Sequence, residues 1–377
     1  MNKQLKTWSN EAVPLREITE ILTHANAHRP LVVCDEFLLS SEFFKTLIAK
    51  LDFKITSFHE YEPNPTFTAV IKGIQVFKEN HCDFIISIGG GSSIDVGKSI
   101  KAVLNAPTAE LYFEEKINPS NIPQLAIPTT AGTGSESTHF AVVYYQNKKQ
   151  SISHEQLLPN YVLFTPALLV SLPLYQRKAG MLDALCQAIE SYWSLQANAA
   201  SRTCSRQAIT IILNNYPAFL QNTSAGNCQL MKAANLAGQA INITTTTAAH
   251  AMSYKLTSMY QIAHGHAVGI CLPHVWQYML NHLELTQPSL TPTAVSESFQ
   301  ELAELLECNT PQEAITTLIN LMHSIQIEPP TLHNNNELKI LAHSVNIQRL
   351  NNNPLRLGYS ELLEIYKSIL LNKITVS

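Results

Sequence analysis

Asp183 and Gln187 stand four residues apart in an otherwise apolar run, Leu182-Asp183-Ala184-Leu185-Cys186-Gln187-Ala188-Ile189. At helical spacing the two side chains share one face, flanked by hydrocarbon. His250 and Tyr254 repeat the spacing, and His264-Gly265-His266 opens a further apolar stretch that carries His274. A carboxylate, an amide oxygen and imidazoles converging from separate helices would form a divalent-cation site of mixed oxygen and nitrogen ligands. Each residue also has an ordinary reading. A helical Asp is commonly a cap or a solvated charge, a single His on an apolar face is commonly a hydrogen-bonded core residue, and HGH is commonly a polar loop.

A second constellation lies upstream, in Phe84-Ile85-Ile86-Ser87-Ile88-Gly89-Gly90-Gly91-Ser92-Ser93-Ile94-Asp95-Val96-Gly97-Lys98. A short β-branched run reads as a strand buried on both faces. The glycines let the backbone approach a ligand without Cβ atoms in the way. The helix that follows offers unpaired N–H groups and a positive dipole end to phosphate, and Ser92 or Ser93 is placed to cap it. Such a join suits a nucleotide pyrophosphate, although a tight turn with no ligand also favours glycine.

The elements around these groups change character along the chain. Residues 1–30 are mixed. Strands are expected at 31–34, 53–58, 84–88, 124–127, 140–145 and 161–164, with helices over 37–51, 67–80 and from the glycines to about Leu104. This alternation predicts a doubly wound, Rossmann-like α/β domain, with ligands at the carboxyl ends of its strands. From Pro166 the periodicity is helical, over roughly 178–196, 201–220, 227–258, 266–283, 291–306, 310–325 and 360–372. The expected domains are therefore 1–166, binding a dinucleotide, and 167–377, all-helical, with substrate meeting cofactor in a cleft between them. Asn334–Asn336 and Asn351–Asn353 read as exposed loops.

Composition narrows the function. Twenty-five basic residues against twenty-nine acidic ones leave a net charge of −4, with no basic surplus for nucleic acid or anionic membrane. No apolar run reaches about 18 residues, so no membrane span is expected. The stretch from Met1 to Trp8 lacks the apolar core of a signal peptide. Seven cysteines without a CxxC suggest free thiols and a cytoplasmic location.

Taken in order, GGGSSIDVGK, PTTAGTGSE, DAL with a polar residue one turn on, HAM, HGHA and LPH make this chain resemble the iron-containing alcohol dehydrogenase family, from about Leu31 to His282. The resemblance implies an NAD(P)-dependent enzyme interconverting small alcohols and aldehydes, with a nucleotide-binding α/β domain followed by a helical metal domain. It implies that Gly89, Gly90, Gly91 and Ser92 cradle the pyrophosphate, with Asp95 on the same turn. Asp35 would bond the adenine ribose and favour NAD(H), NADP(H) remaining possible. Asn64 would lie on the nicotinamide side, and Thr129, Thr130, Thr133 and Lys149 would contact the cofactor. The metal, Fe2+ or Zn2+, would be held by Asp183, Gln187, His250 and His264. Here Gln187 stands in place of a histidine, Tyr254 in place of a second, and Met181 in place of a glycine.

Leu182–Trp193 and Ser137–Ala141 resemble the phosphonoacetaldehyde reductase branch, which implies reduction of phosphonoacetaldehyde to 2-hydroxyethylphosphonate. The expected partners are a small aldehyde or alcohol, carrying a phosphonate on the branch reading, and a second copy of the chain in a homodimer. A dianionic substrate would need a cation, for which Lys255, Arg177, Lys178 and Arg202 are candidates. In the expected mechanism the metal polarises the aldehyde oxygen, ligated in part by His264, and Tyr254 is a candidate proton donor. Other readings are a general short-chain alcohol or diol dehydrogenase, a non-catalytic nucleotide-binding descendant and a sugar-phosphate cyclase.

Overall fold

The computed structural model describes residues 4–106, 118–146 and 148–371. The chain separates into two compact units, Met1–Leu172 and Pro173–Ser377.

The first unit is built on a six-stranded, wholly parallel sheet. Its strands are β1 (Leu5–Trp8), β2 (Pro30–Cys34), β3 (Thr56–Phe58), β4 (Phe84–Gly89), β5 (Gln124–Pro128) and β8 (Tyr161–Phe164). The spatial order is β3-β2-β4-β5-β8-β1. Every residue of β2, β4 and β5 is buried, as expected where helices cover both faces. Alternate residues feed two cores. Val32, Ile86, Ile88 and Ile127 pack with the helices Leu15–His24 and Glu42–Lys50. Leu31, Val33 and Ile85 pack with Phe67–Glu79 and Gly91–Val103. The order reverses at β2 and β4, so the ends of these two strands, Cys34-Asp35 and Gly89, form the switch point where such sheets take ligands.

Several expectations need correction. The edge strand β1 was not legible in the mixed first thirty residues: at four residues, mostly exposed, it is too short to show a period. The helix expected over 37–51 is two, Glu36–Leu39 and Glu42–Lys50, because Ser41 caps the second by accepting from the Phe44 amide. The strand Phe140–Tyr145 (β6) does not join the sheet but pairs antiparallel with Lys148–Ser153 (β7).

The second unit is helical among its described residues, with long helices at Leu174–Trp193, Ala199–Leu220, Ser224–Thr244, Ala248–Tyr260 and His264–Asn281. The single helix expected over 227–258 is broken. Thr245 adopts φ +57°, and a new helix starts at Ala248. The apolar period continues through Ala240, Ile241, Thr244, Ala248 and Ala251, so it hides the break. Asn352 holds the break open, its amide donating to Thr244 O at 2.6 Å and Thr246 O at 3.2 Å. Asn352 and Asn353 are therefore buried, contrary to the exposed loop expected there. Two further helices, Asn336–Ser344 and Ile347–Leu350, were also not expected.

Candidate cofactor and metal sites

The glycine turn closes β4. Gly89 has φ +153°, and a Cβ there would lie 2.0 Å from Ser93 Oγ, so the turn accepts only glycine without distortion. The same hypothetical Cβ would lie 3.1 Å from Asp35 Oδ2, which places the carboxylate after β2 directly behind the turn. Burial raises the Asp35 carboxyl, offset in part by the neighbouring Ser93 and Tyr61 hydroxyls, of which Tyr61 donates to Ser93 at 2.8 Å. The helix begins at Gly91 with Gly90 as its N-cap. The cap expected from Ser92 or Ser93 is not made; both serines sit inside the first turn, where the unpaired amides lie.

The threonine loop folds onto this turn. Thr129 donates its amide to Gly89 O at 3.0 Å, and Cβ atoms on Gly90 and Gly91 would meet Thr130 and Thr133 at 3.3 and 2.9 Å. Asp95 points along its helix to β6, accepting from Ser135 Oγ at 2.6 Å and the Val142 amide at 2.9 Å. Lys98, fully buried beside it, donates to Ser135 O, Thr138 Oγ1 and Phe140 O; burial pushes it down to about 8 against the pull of Asp95. Lys149 lies in β7 opposite Tyr144; burial raises the Asp95 carboxyl, and the Lys149 charge, with Lys98, Ser135 and Val142, offsets part of that rise. Asn64 is exposed in the left-handed region at φ +62°, in the turn that leads to the Thr66 cap.

In the second unit, Asp183, His250 and His264 converge, with their ligand atoms all within 4.8 Å of one another. Asp183 Oδ1 is 3.3 Å from His250 Nε2 and 4.0 Å from His264 Nε2. Gly265 makes this possible: a Cβ on it would lie 1.9 Å from Ala179 O, so the helix carrying His264 rests on the backbone of the helix carrying Asp183.

The outer atoms of both imidazoles are occupied. His250 Nδ1 donates to Glu190 Oε2, while Glu190 Oε1 accepts from Thr247 Oγ1 and the Ala249 amide at 2.8 Å each. Ser253 donates to His250 O at 2.8 Å, which leaves its oxygen 3.4 Å from His264 Nδ1 as an acceptor. Both assignments keep a proton on Nδ1 and turn each Nε2 toward Asp183, with which His250 Nε2 hydrogen-bonds through a proton that a metal would displace. Burial disfavours charge on His250, but Glu190 and Asp183 outweigh it and raise the imidazole to about 9. The site therefore favours a cation. Ligand atoms around a tetrahedral zinc-sized ion sit roughly 3.3–3.5 Å apart, so this donor set fits a divalent metal with small adjustments.

Gln187 is buried one turn beyond Asp183. Tyr254 lies flat on His264, with ring centroids 5.5 Å apart and planes 4° apart, and its oxygen accepts from Arg349 at 3.0 Å. His266 and His274, the other two histidines considered, lie outside the cluster. His266 is held by Tyr175 and Glu328 O, and His274 by Ser368, with burial lowering both. Arg177 is buried on Phe219 O, Asn222 and Asn227, and Arg202 is engaged with Glu301 and Ser298. Glu190, Ser253 and Arg349 were missed from the sequence. Glu190 alone left a signal, a carboxylate seven residues after Asp183 on the same apolar face.

Residues 10–166 match the profile described as iron-containing alcohol dehydrogenase, and residues 178–370 match the C-terminal profile of that family. The chain is 31% identical over 303 residues to an NAD-dependent methanol dehydrogenase of Bacillus methanolicus, covering 78% of this chain and 76% of that protein. It is 33% identical over 264 residues to a 1,3-propanediol dehydrogenase of Citrobacter freundii, covering 68% of this chain and 65% of that one. The crystal structure of sulfoacetaldehyde reductase from Bifidobacterium kashiwanohense in complex with NAD+ matches with a TM-score of 0.87 at 24% identity, covering 99% of this chain and 98% of that one, a likeness of fold. The chain belongs to the iron-containing alcohol dehydrogenase family, and it is an NAD-dependent oxidoreductase of the alcohol dehydrogenase type that takes a divalent metal.

Proposed function

We propose that the chain reduces a small aldehyde to a primary alcohol, consuming NADH and one proton and releasing NAD+, and that the aldehyde is phosphonoacetaldehyde, giving 2-hydroxyethylphosphonate. The observation that carries the reductase reading is the convergence of Asp183, His250 and His264 with both Nε2 atoms turned inward. The phosphonate reading is supported by the resemblance of Leu182–Trp193 and Ser137–Ala141 to that branch.

When bound, the metal polarises a carbonyl oxygen and the dinucleotide supplies hydride. Asp183, His250 and His264 would hold the metal, and Gln187 is proposed as a fourth, neutral oxygen ligand. Glu190 and Ser253 fix the two imidazoles in the tautomer that ligation needs. Tyr254, stacked on His264 and accepting from Arg349, is proposed as the group that protonates the product oxygen. On the cofactor side, Gly89, Gly90, Gly91 and Ser92 would receive the pyrophosphate and Asp35 the ribose, favouring NAD(H) over NADP(H), with Asn64, Thr129, Thr130, Thr133 and Lys149 further along. Asp95 would act through its grip on Ser135 and Val142. A homodimer and a cytoplasmic location complete the proposal; among the described residues no helix is long and apolar enough to cross a membrane.

A second reading, a dehydrogenase of neutral alcohols or diols, is favoured by the methanol and 1,3-propanediol relatives. Purified protein assayed with NADH, phosphonoacetaldehyde and propionaldehyde, with metal measured on the same sample, separates the two. Faster turnover of phosphonoacetaldehyde supports the first, faster turnover of propionaldehyde the second, and no NADH oxidation with any aldehyde removes both.

A further inference from the structure

The arginines of the helical unit differ in how their charge is spent. Arg177 is buried among carbonyl acceptors and lies 4.9 Å from the centre of the Phe219 ring. Arg202 and Arg206 converge on Glu301. Arg349, half-buried on the short helix Ile347–Leu350, has a different environment. Its Nη1 donates to the Tyr254 oxygen at 3.0 Å, its Cζ lies 5.0 Å from the centre of that ring, and among the described residues no carboxylate pairs with it. A phenol and a ring face hold a guanidinium in place without neutralising it. Four of its five N–H donors stay uncommitted to Tyr254, in the planar fork that matches an oxyanion.

What Arg349 is held against gives the charge its meaning. The Tyr254 ring that anchors it is stacked on His264, one of the three converging ligands. From guanidinium to imidazole the separation is no more than the 5.0 Å and 5.5 Å of these two contacts laid end to end. A guanidinium with no carboxylate partner among the described residues therefore lies within the span of those two contacts from one of the converging imidazoles.

We propose that Arg349 is the subsite for an oxyanion at the far end of a short aldehyde, and so the residue that sets preference for charged over neutral substrates. This assigns the substrate cation to a residue outside the candidates Lys255, Arg177, Lys178 and Arg202. It rests on the reductase reading for its catalytic consequence, while the anion site itself stands on the placement of Arg349.

The test compares wild type, R349Q and R349K with phosphonoacetaldehyde, sulfoacetaldehyde and propionaldehyde, and adds calorimetry with ethylphosphonate, which carries the anion and no carbonyl. R349Q is expected to lower kcat/KM for the two anionic aldehydes about 10- to 100-fold more than for propionaldehyde. The loss falls mainly in KM, and R349K recovers part of it. Ethylphosphonate binds wild type and loses affinity by a similar factor in R349Q. The ratio of phosphonate to sulfonate turnover tells whether a dianion or a monoanion is preferred. Equal losses with all three aldehydes, or ethylphosphonate binding that ignores R349Q, would overturn the proposal and leave Arg349 as a brace for Tyr254. If wild type reduces none of the aldehydes the reductase reading falls, and the calorimetry still decides the anion site.

Discussion

The two candidate sites are made in opposite ways. The turn at Gly89–Gly91 is a backbone site: its parts are consecutive in the chain, and its donors are amides that any residue carries. The cluster at Asp183 is a side-chain site, assembled from three helices, with Asp183 and His250 separated by 67 residues. The first needs residues that are absent, Cβ atoms above all. The second needs residues that are present and held, so each ligand brings its own supports, Glu190 for His250 and Ser253 for His264. Errors should therefore act differently. A side chain added to the turn obstructs the ligand directly, whereas a support removed from the cluster loosens a ligand that stays in place.

The strongest test of this contrast is H264A. It should lower kcat/KM by at least about a thousandfold, the several kcal/mol attributed to carbonyl polarisation, and deplete bound metal while NADH still quenches or shifts fluorescence. Unchanged kinetics in H264A would remove the cluster from catalysis.

A histidine of the same helix sharpens the comparison, because His274 is buried with a structural partner only. Burial lowers its pKa from 6.5 to about 4, so between these values the unfolded chain binds a proton that the folded chain does not. Stability is therefore lost as pH falls through that window, by up to about 3 kcal/mol at 1.36 kcal/mol per unit. H274Q should flatten this part of the pH dependence of the urea midpoint and leave metal content as in wild type.

Next in size is E190Q, which keeps the shape and removes the charge that orients His250. Metal affinity should fall about 10- to 100-fold with NADH affinity unaffected; a chelator competition measures the first and fluorescence titration the second. G89A should do the reverse. The new methyl meets Ser93 at a strained φ, costing about 1–3 kcal/mol of stability and weakening NADH binding while metal content holds. If E190Q and G89A each disturbed both ligands equally, the separation of backbone and side-chain sites would not stand.

The sequence by itself carried whatever depends on neighbours in the chain. Buried strands such as Phe84–Gly89 are read from unbroken apolar runs, the nucleotide turn from its consecutive glycines, and most long helices from their period. Asp183, His250 and His264 were among the polar groups seen on apolar faces, and the family resemblance singled them out, with Gln187, as the implied metal ligands. Only the tertiary structure decided what a period cannot encode. The helix break at Thr245 is invisible because apolar spacing runs through it, yet that break presents Ala249 and His250 to Glu190. The separation of His266 and His274 from the cluster and the packing of Arg349 against Tyr254 follow from distances between distant segments. Short-range pattern reports which face of an element is buried; which groups meet there is set by how the elements pack, and that is where this chemistry was selected.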